Sequence, residues 1–390
     1  MTAPTQRRIA VDGQLAGVLE RDAGGRYIYA YDRHCPPDAF VSLTMPVRLE
    51  SYVWPQLHPV FEAGLAQGAS RAALDDRLAR AGNAGPFAVL DAGPRRLGRW
   101  SVLSDAAEGP ATDPPASPAV MTAADARPSF AELYAAQYAT VAGFAPPPGV
   151  RVHAALDAHS IYRCDPGEGA EAYNEWCALS IARRAGFDVP QAARSADGRV
   201  LRLERYDGLA GARLGVEDLC GLQGLAPSAR YGAAAERLVS VAAALAPPVT
   251  RTALRRELYR RIALAILLGD TERHLQSFET VYASVDDLKL GPLVGLCTDW
   301  SAPPADERLV PALTVGGQRR FALRKTTLRR FGAHCALSER ESGAIIDWLA
   351  AALDAEQPAL RAAATPATLP WLRRLEEYWA SGVRALKAGY

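Results

Sequence analysis

Net charge is nearly absent from this sequence: 44 Lys and Arg stand against 43 Asp and Glu, a formal charge of +1 over 390 residues. No global field draws the chain to nucleic acid or anionic lipid, so a general nucleic-acid binder is disfavoured. Cysteine is sparse and scattered. Cys35, Cys164, Cys177, Cys220, Cys297 and Cys335 show no CxxC spacing, so neither a disulfide framework nor a zinc site is implied. Long apolar runs are missing too. The opening MTAPTQRRIAVDG contains none fit for a signal peptide, and the longest, Ile262 to Leu268, falls far short of a membrane span. No internal repeat is visible. The expectation is a soluble, cytoplasmic protein with no membrane and no direct nucleic-acid contact.

What is present is apolar material for at least one large core, 49% of the residues, in a length that suggests two or three folding units. Ile9 to Val11, Gln14 to Arg21 and Tyr27 to Tyr31 read as short strands with a turn at Asp22-Ala23-Gly24-Gly25. Val41 to Pro46 reads as an edge strand ended by proline, and Pro59 to Arg80 carries apolar residues near helical spacing. Ala106 to Pro118, AAEGPATDPPASP, has the composition of an exposed linker. Beyond it, Val150 to Arg163 and Val200 to Tyr206 read as strands flanking a helix over Ala172 to Ala185. From Val216 onward helical patterns dominate. Leu254 to Leu268 is strongly helical, ends at Gly269 where a C-terminal cap is expected, and runs into the polar stretch DTERHLQS. Leu288 to Thr298 reads as a strand, and Ile345 to Leu353 and Leu369 to Leu386 as amphipathic helices. The expected division is 1–105, a linker at 106–118, a small lobe at 119–208 and a helical large lobe at 209–390. A mixed small lobe before a helical large lobe is the layout of a protein kinase, though it suits many α+β enzymes.

Several segments stand out in order, VSLTMPVR at Val41 to Arg48, Asn174-Glu175, Val189-Pro190, LERYD at Leu203 to Asp207 and VEDLCGLQGLAPSARY at Val216 to Tyr231, and together they resemble the HipA family of bacterial serine/threonine kinase toxins. Val41 to Arg48 (VSLTMPVR) is similar to its SLSLPLR strand and Phe61 to Ala69 (FEAGLAQGA) to its FEGLLPEG turn. Asn174-Glu175, Val189-Pro190 and Leu203 to Asp207 resemble its NE, VP and VERFD landmarks. Val216 to Tyr231 (VEDLCGLQGLAPSARY) is similar to a QEDMCQ, G, P, KY pattern, and Leu313 to Gly317 to LAMKIGG. A co-linear series spanning roughly residues 7 to 350 is far more specific than any one match. The resemblance implies an α+β, protein-kinase-like bilobal fold with a small additional N-terminal α+β subdomain. It also implies ATP and Mg2+ as cofactors, a protein or small-molecule hydroxyl as acceptor, and an antitoxin-like DNA-binding partner.

Phosphoryl transfer needs phosphates neutralised, metal held and the acceptor hydroxyl oriented. The family's GxxDxHxxN catalytic loop aligns with Gly269 to Ser277. Gly269 and His274 stay in register, Glu272 falls at the base position and Ser277 at the metal-ligand position, with Gln276 as a substitute ligand. The extra methylene of Glu272 displaces its carboxylate by about an ångström, which costs on the order of a hundredfold where nothing compensates. Asp270 is a second candidate acid or a turn residue. Asp299, in Leu296 to Trp300, matches the family's second metal ligand, or is an ordinary turn aspartate. Arg163 occupies the slot of the phosphate-gripping lysine, where a planar guanidinium replaces a point charge, or is a solvated strand-end arginine. Glu175 either steadies Arg163 or lies on a solvated helix face. Glu204 and Tyr206 fall where this family's interlobe backbone meets adenine. Gly143 opens GFAPPPG, the best match to the phosphate-covering loop. Three prolines there lack the N–H groups such a loop uses, so a rigid connector is the competing reading. His153 and His159 read as ordinary strand residues. Three functions stay open: a kinase with a drifted site, a pseudokinase acting as a nucleotide-binding or interaction module, and a kinase fold turned to another ATP-dependent reaction on a small molecule.

Overall fold

The computed structural model describes residues 6–63, 65, 75–76, 78–80, 82, 87–91, 97–103, 152–156, 160–164, 170–195, 197–209, 212–304, 309–321 and 325–387. The expected linker, Gly143 with its proline-rich loop, and His159 lie outside these residues.

The first sheet is antiparallel, in the order β4-β3-β2-β1-β5, from β1 (Gln6–Val11), β2 (Gln14–Arg21), β3 (Tyr27–Tyr31), β4 (Tyr52–Trp54) and β5 (Trp100–Leu103). Asp12 and Gly13, at φ 50° and 78°, close β1 onto β2 in a two-residue hairpin turn of the kind that needs left-handed residues. Ile9, Leu19, Tyr29 and Met45 are buried in one core. Short helices α1 (Pro59–Glu62) and α2 (Ala88–Asp91) add Phe61 and Leu90 to it. The strand expected over Val41 to Pro46 is instead a tight turn. Met45 N donates to Ser42 O at 2.9 Å and Thr44 N to Ser42 Oγ at 3.1 Å, so the serine side chain supplies locally what a ladder would have.

A second antiparallel sheet, ordered β6-β7-β9-β8, holds β6 (Val152–Leu156), β7 (Ser160–Cys164), β8 (Ala192–Arg194) and β9 (Val200–Glu204), with α3 (Glu171–Arg184) between β7 and β8. A two-strand ribbon, β10 (Gly208–Leu209) and β11 (Ala212–Arg213), follows. Next comes a three-stranded sheet of β12 (Gly215–Asp218), β13 (Glu279–Tyr282) and β14 (Lys289–Leu290). The region after Val216 is therefore less purely helical than its pattern suggests. Its helices are α4 (Ala235–Leu245), α5 (Arg251–Leu268), α6 (Lys325–His334), α7 (Glu339–Ala363) and α8 (Leu369–Lys387). The last eleven residues of α5, from Leu258, include ten buried side chains on all sides, the mark of a helix inside a core. The fold is mixed α+β and bilobal, as expected.

The strand expected over Leu288 to Thr298 forms a ladder only at Lys289–Leu290. Gly291, Pro292 and Gly295 interrupt it, and its amides are satisfied singly. Gly291 N donates to Glu279 O, Leu293 N to Asp188 O, Gly295 N to Glu175 Oε1 and Thr298 N to Asn174 Oδ1. Each bond fixes one residue of the segment that leads to Asp299.

The first sheet docks on the rest through a buried carboxylate. Glu217 accepts Ser42 Oγ–H at 2.6 Å, Leu43 N–H at 2.8 Å and Tyr282 O–H at 2.5 Å. Burial pushes its pKa up, against the pull of those donors.

Candidate active site

Helix α5 delivers the central loop. Its apolar run ends at Gly269, left-handed at φ 72°, and Asp270 N closes back on Ala265 O at 2.9 Å. Asp270 is 1% exposed. Its carboxylate accepts Glu272 N–H at 3.0 Å and Arg273 Nε–H at 3.2 Å, and the equally buried Arg273 spends Nη1 on Ser277 O and Val294 O. Asp270 is thus turned inward as the staple of the loop. Glu272 is turned outward, exposed, with Oε2 accepting Tyr231 O–H at 2.5 Å.

His274 lies edge-on to Tyr231, with ring centroids 5.0 Å apart, and its Nδ1 is 3.1 Å from Ser277 Oγ. Ser277 Oγ donates to Glu272 O at 2.8 Å, so its proton is committed to the loop, the His274 ring takes one lone pair and one remains. Gln276 turns away and donates to Asp218 Oδ2 at 3.2 Å. Asp218 also accepts the Cys220 and Gly221 amides, and burial raises its pKa.

Asp299 is joined to this loop twice. Its amide donates to Gly269 O at 2.9 Å, and Thr271 Oγ1–H donates to its Oδ2 at 2.8 Å. Its Oδ1 accepts Ser301 N–H at 2.9 Å. On the other side, Arg163 of β7 is ion-paired with Glu175 of α3. Both are buried, and the second Glu175 oxygen accepts Gly295 N–H at 2.7 Å. Asn174, one residue earlier, clasps both backbone groups of Thr298, at 2.7 and 3.0 Å. Paired helix residues thus hold the cation of the small lobe and the segment before Asp299.

Glu204 ends β9 with its side chain exposed. Tyr206 donates to Glu279, the first residue of β13. Burial raises the pKa of both groups, and Arg163 partly offsets it. The neighbouring Asp207 pairs with Arg205 and accepts Gly98 N–H at 2.8 Å.

Tyr231, Thr271, Glu279 and Asp218 were not singled out from the sequence. Tyr231 and Asp218 stand inside the VEDLCGLQGLAPSARY match, but no spacing rule pairs them with the loop. The signal available for Thr271 was its place beside Glu272.

Arg163 Nε is buried without a hydrogen-bond partner, an orphan donor that an anion would satisfy. No three His, Cys, Asp or Glu side chains converge as a metal cage among the described residues. Magnesium, however, uses one or two carboxylates, substrate phosphates and water. Asp299 offers one carboxylate, and Ser277 Oγ, bonded to both Glu272 O and His274 Nδ1, keeps a lone pair, which is compatible with that lesser demand.

The comparisons with known proteins agree with this architecture. The HipA-like C-terminal domain matches residues 152–357 and the HipA N-terminal domain residues 8–102. HipA of Shewanella oneidensis MR-1, solved with HipB and operator DNA, superposes with TM-score 0.73 at 15% identity, over 97% of this chain and 96% of that one. A putative kinase, Y4dM, of Sinorhizobium fredii is 25% identical over 182 residues. That match spans 43% of this chain and 43% of the relative's own length. The Helicobacter pylori proinflammatory kinase CtkA, at TM-score 0.39 and 11% identity over 64% of this chain and 95% of that one, is too remote to build on. The class is a bilobal, kinase-like α+β protein, and the chain belongs to the HipA family of kinases.

Proposed function

We propose that this protein transfers a phosphoryl group from ATP to a hydroxyl on a protein, with Glu272 as the base. The observation that carries the reading is the convergence of charge: the buried Arg163–Glu175 pair is tied through Gly295 to the segment of Asp299, and Asp299 is tied through Thr271 to the loop of Glu272. When bound, ATP and Mg2+ supply the transferable group and neutralise its charge. Arg163 would contact the phosphates, with Glu175 orienting its guanidinium, and Asp299 and Ser277 would hold the metal. The Glu204–Tyr206 backbone would meet the base. Glu272 would take the proton of the acceptor hydroxyl as its oxygen bonds to the γ-phosphorus and the bond to the leaving diphosphate breaks. Asp270 has no reactive part in this scheme, since its carboxylate is committed to Arg273. Gly143 remains a proposal from resemblance alone.

The proposed partner is an antitoxin-like DNA-binding protein, supported by the HipB-bound state of the Shewanella relative. The chain's own charge balance gives it no general hold on DNA. The proposed division stays at 1–105, 106–118, 119–208 and 209–390. Among the described residues, no helix is long and apolar enough to cross a membrane.

A second reading, a pseudokinase that binds nucleotide or a partner without chemistry, is favoured by Gln276 and Ser277. One is drawn to Asp218 and the other donates to Glu272 O, which leaves a thin metal shell. Incubation with magnesium and γ-labelled ATP, alone and with cell lysate, separates the two. Label transfer abolished by both Glu272→Ala and Asp299→Ala is the result expected. Nucleotide-dependent thermal stabilisation without transfer would establish the pseudokinase instead.

A further inference from the structure

The segment around Asp299 is gripped from a direction that neither family match covers. Those matches end at residues 102 and 357, whereas α8 spans Leu369–Lys387. Trp379, fully buried on α8, donates its indole N–H to Thr298 Oγ1 at 2.8 Å, immediately before Asp299. Arg374, one turn earlier, donates to Trp300 O, immediately after it, with its guanidinium 5.5 Å from the Trp300 ring centre. The same helix also meets the end of α5. A Cβ on Gly382 would stand 2.0 Å from Leu267 O, so only glycine allows this approach to the turn that presents Gly269 and Glu272.

We infer that α8 is a positioning element for the proposed metal site, clamping Asp299 through Trp379 and Arg374 while bracing the loop of Glu272 through Gly382. A lone aspartate with few co-ligands depends on how its backbone is fixed, because magnesium tolerates little departure from octahedral geometry. Thr298 is fixed from two helices at once: Asn174 of α3 takes its backbone and Trp379 of α8 its hydroxyl. Any event that lifts α8 would therefore loosen Asp299.

This rests on the proposed nucleotide site, and the experiment is built so that the two fail separately. Thr298→Val removes the acceptor with little change in shape, and Arg374→Gln removes the outer contact at an exposed side chain. Arg361→Gln on α7, which breaks the surface pair with Glu376 of α8, is the control. In the full chain without nucleotide, the Thr298 and Asp299 amides are expected to exchange hydrogen about tenfold faster in the double variant and unchanged in the control. Unchanged exchange in the double variant overturns the inference. ATP affinity is then measured with and without magnesium. The double variant should lose most of the magnesium-dependent gain and keep its metal-free affinity, with Arg374→Lys recovering part. A double variant with the full gain overturns the inference as well, whereas a wild type with no gain counts against the magnesium nucleotide reading alone.

Discussion

Tyr231 donates its hydroxyl hydrogen to Glu272 Oε2 at 2.5 Å, across 41 positions of sequence. An exposed carboxylate has several rotamers, and this bond selects one. Tyr231→Phe is expected to lower the rate of phosphoryl transfer about threefold to tenfold, the worth of one positioning hydrogen bond. Both groups are exposed, so stability should move by no more than about 0.5 kcal/mol. Initial-rate kinetics beside thermal melts check both halves; an unchanged rate would mean that Glu272 is oriented without Tyr231.

Two acids separated by one residue are expected to behave oppositely. Asp270→Ala strands the buried Arg273 and should cost about 3–5 kcal/mol of folding stability. Glu272→Ala should leave stability within about 0.5 kcal/mol and abolish transfer. Urea denaturation of the two variants decides the matter, and equal stability losses would contradict these assignments.

The Arg163–Glu175 pair is nearly dry, so removing either partner leaves an uncompensated buried charge. Glu175→Leu is expected to destabilise the fold by about 3–5 kcal/mol, and Arg163→Met combined with Glu175→Leu to recover much of that loss. ATP-dependent thermal stabilisation should vanish in the double variant even so, because the proposed phosphate contact is gone. Recovery of nucleotide binding along with stability would exclude Arg163 from the site.

Glu279 gives a pH dependence with a definite sign. Its carboxyl is raised above the ordinary 4.5 by burial, so the folded state holds the proton more tightly than the unfolded chain. Stability from this group is complete below about pH 4.5 and is lost as pH rises through the raised folded value. Glu279→Gln keeps an acceptor for Tyr206 and carries no charge. The difference in Tm between variant and wild type should therefore grow in the variant's favour from pH 5 to pH 8. A constant difference would show that Glu279 ionises in the fold as it does in water.

The helix from Leu254 to Gly269 and the strands around α3 were legible because each has its own period and its own stop. Leu288 to Thr298 was not. It is apolar enough for a strand, yet its partners are single side chains and carbonyls from α3 and the loops, which periodicity does not register. Val41 to Pro46 was misread for a related reason, since Ser42 satisfies the local amides. In the loop, register identified Glu272, Ser277 and Asp299 as candidates. It could not say that Asp270 faces Arg273 or that Gln276 is drawn to Asp218, because those bonds depend on which side of the loop is buried.

By itself the sequence determined the order of the elements and the chemical character of the candidate groups. A guanidinium stands at Arg163, a carboxylate at Glu272 and another at Asp299, each fixed by residue type and motif register. Only the tertiary structure decided which acid is buried and which exposed, that Arg163 and Glu175 share one dry pair, and that α8 flanks Asp299 with Trp379 and Arg374. Those outcomes rest on burial and hydrogen-bond partners contributed by residues far apart in the chain, and local sequence encodes neither.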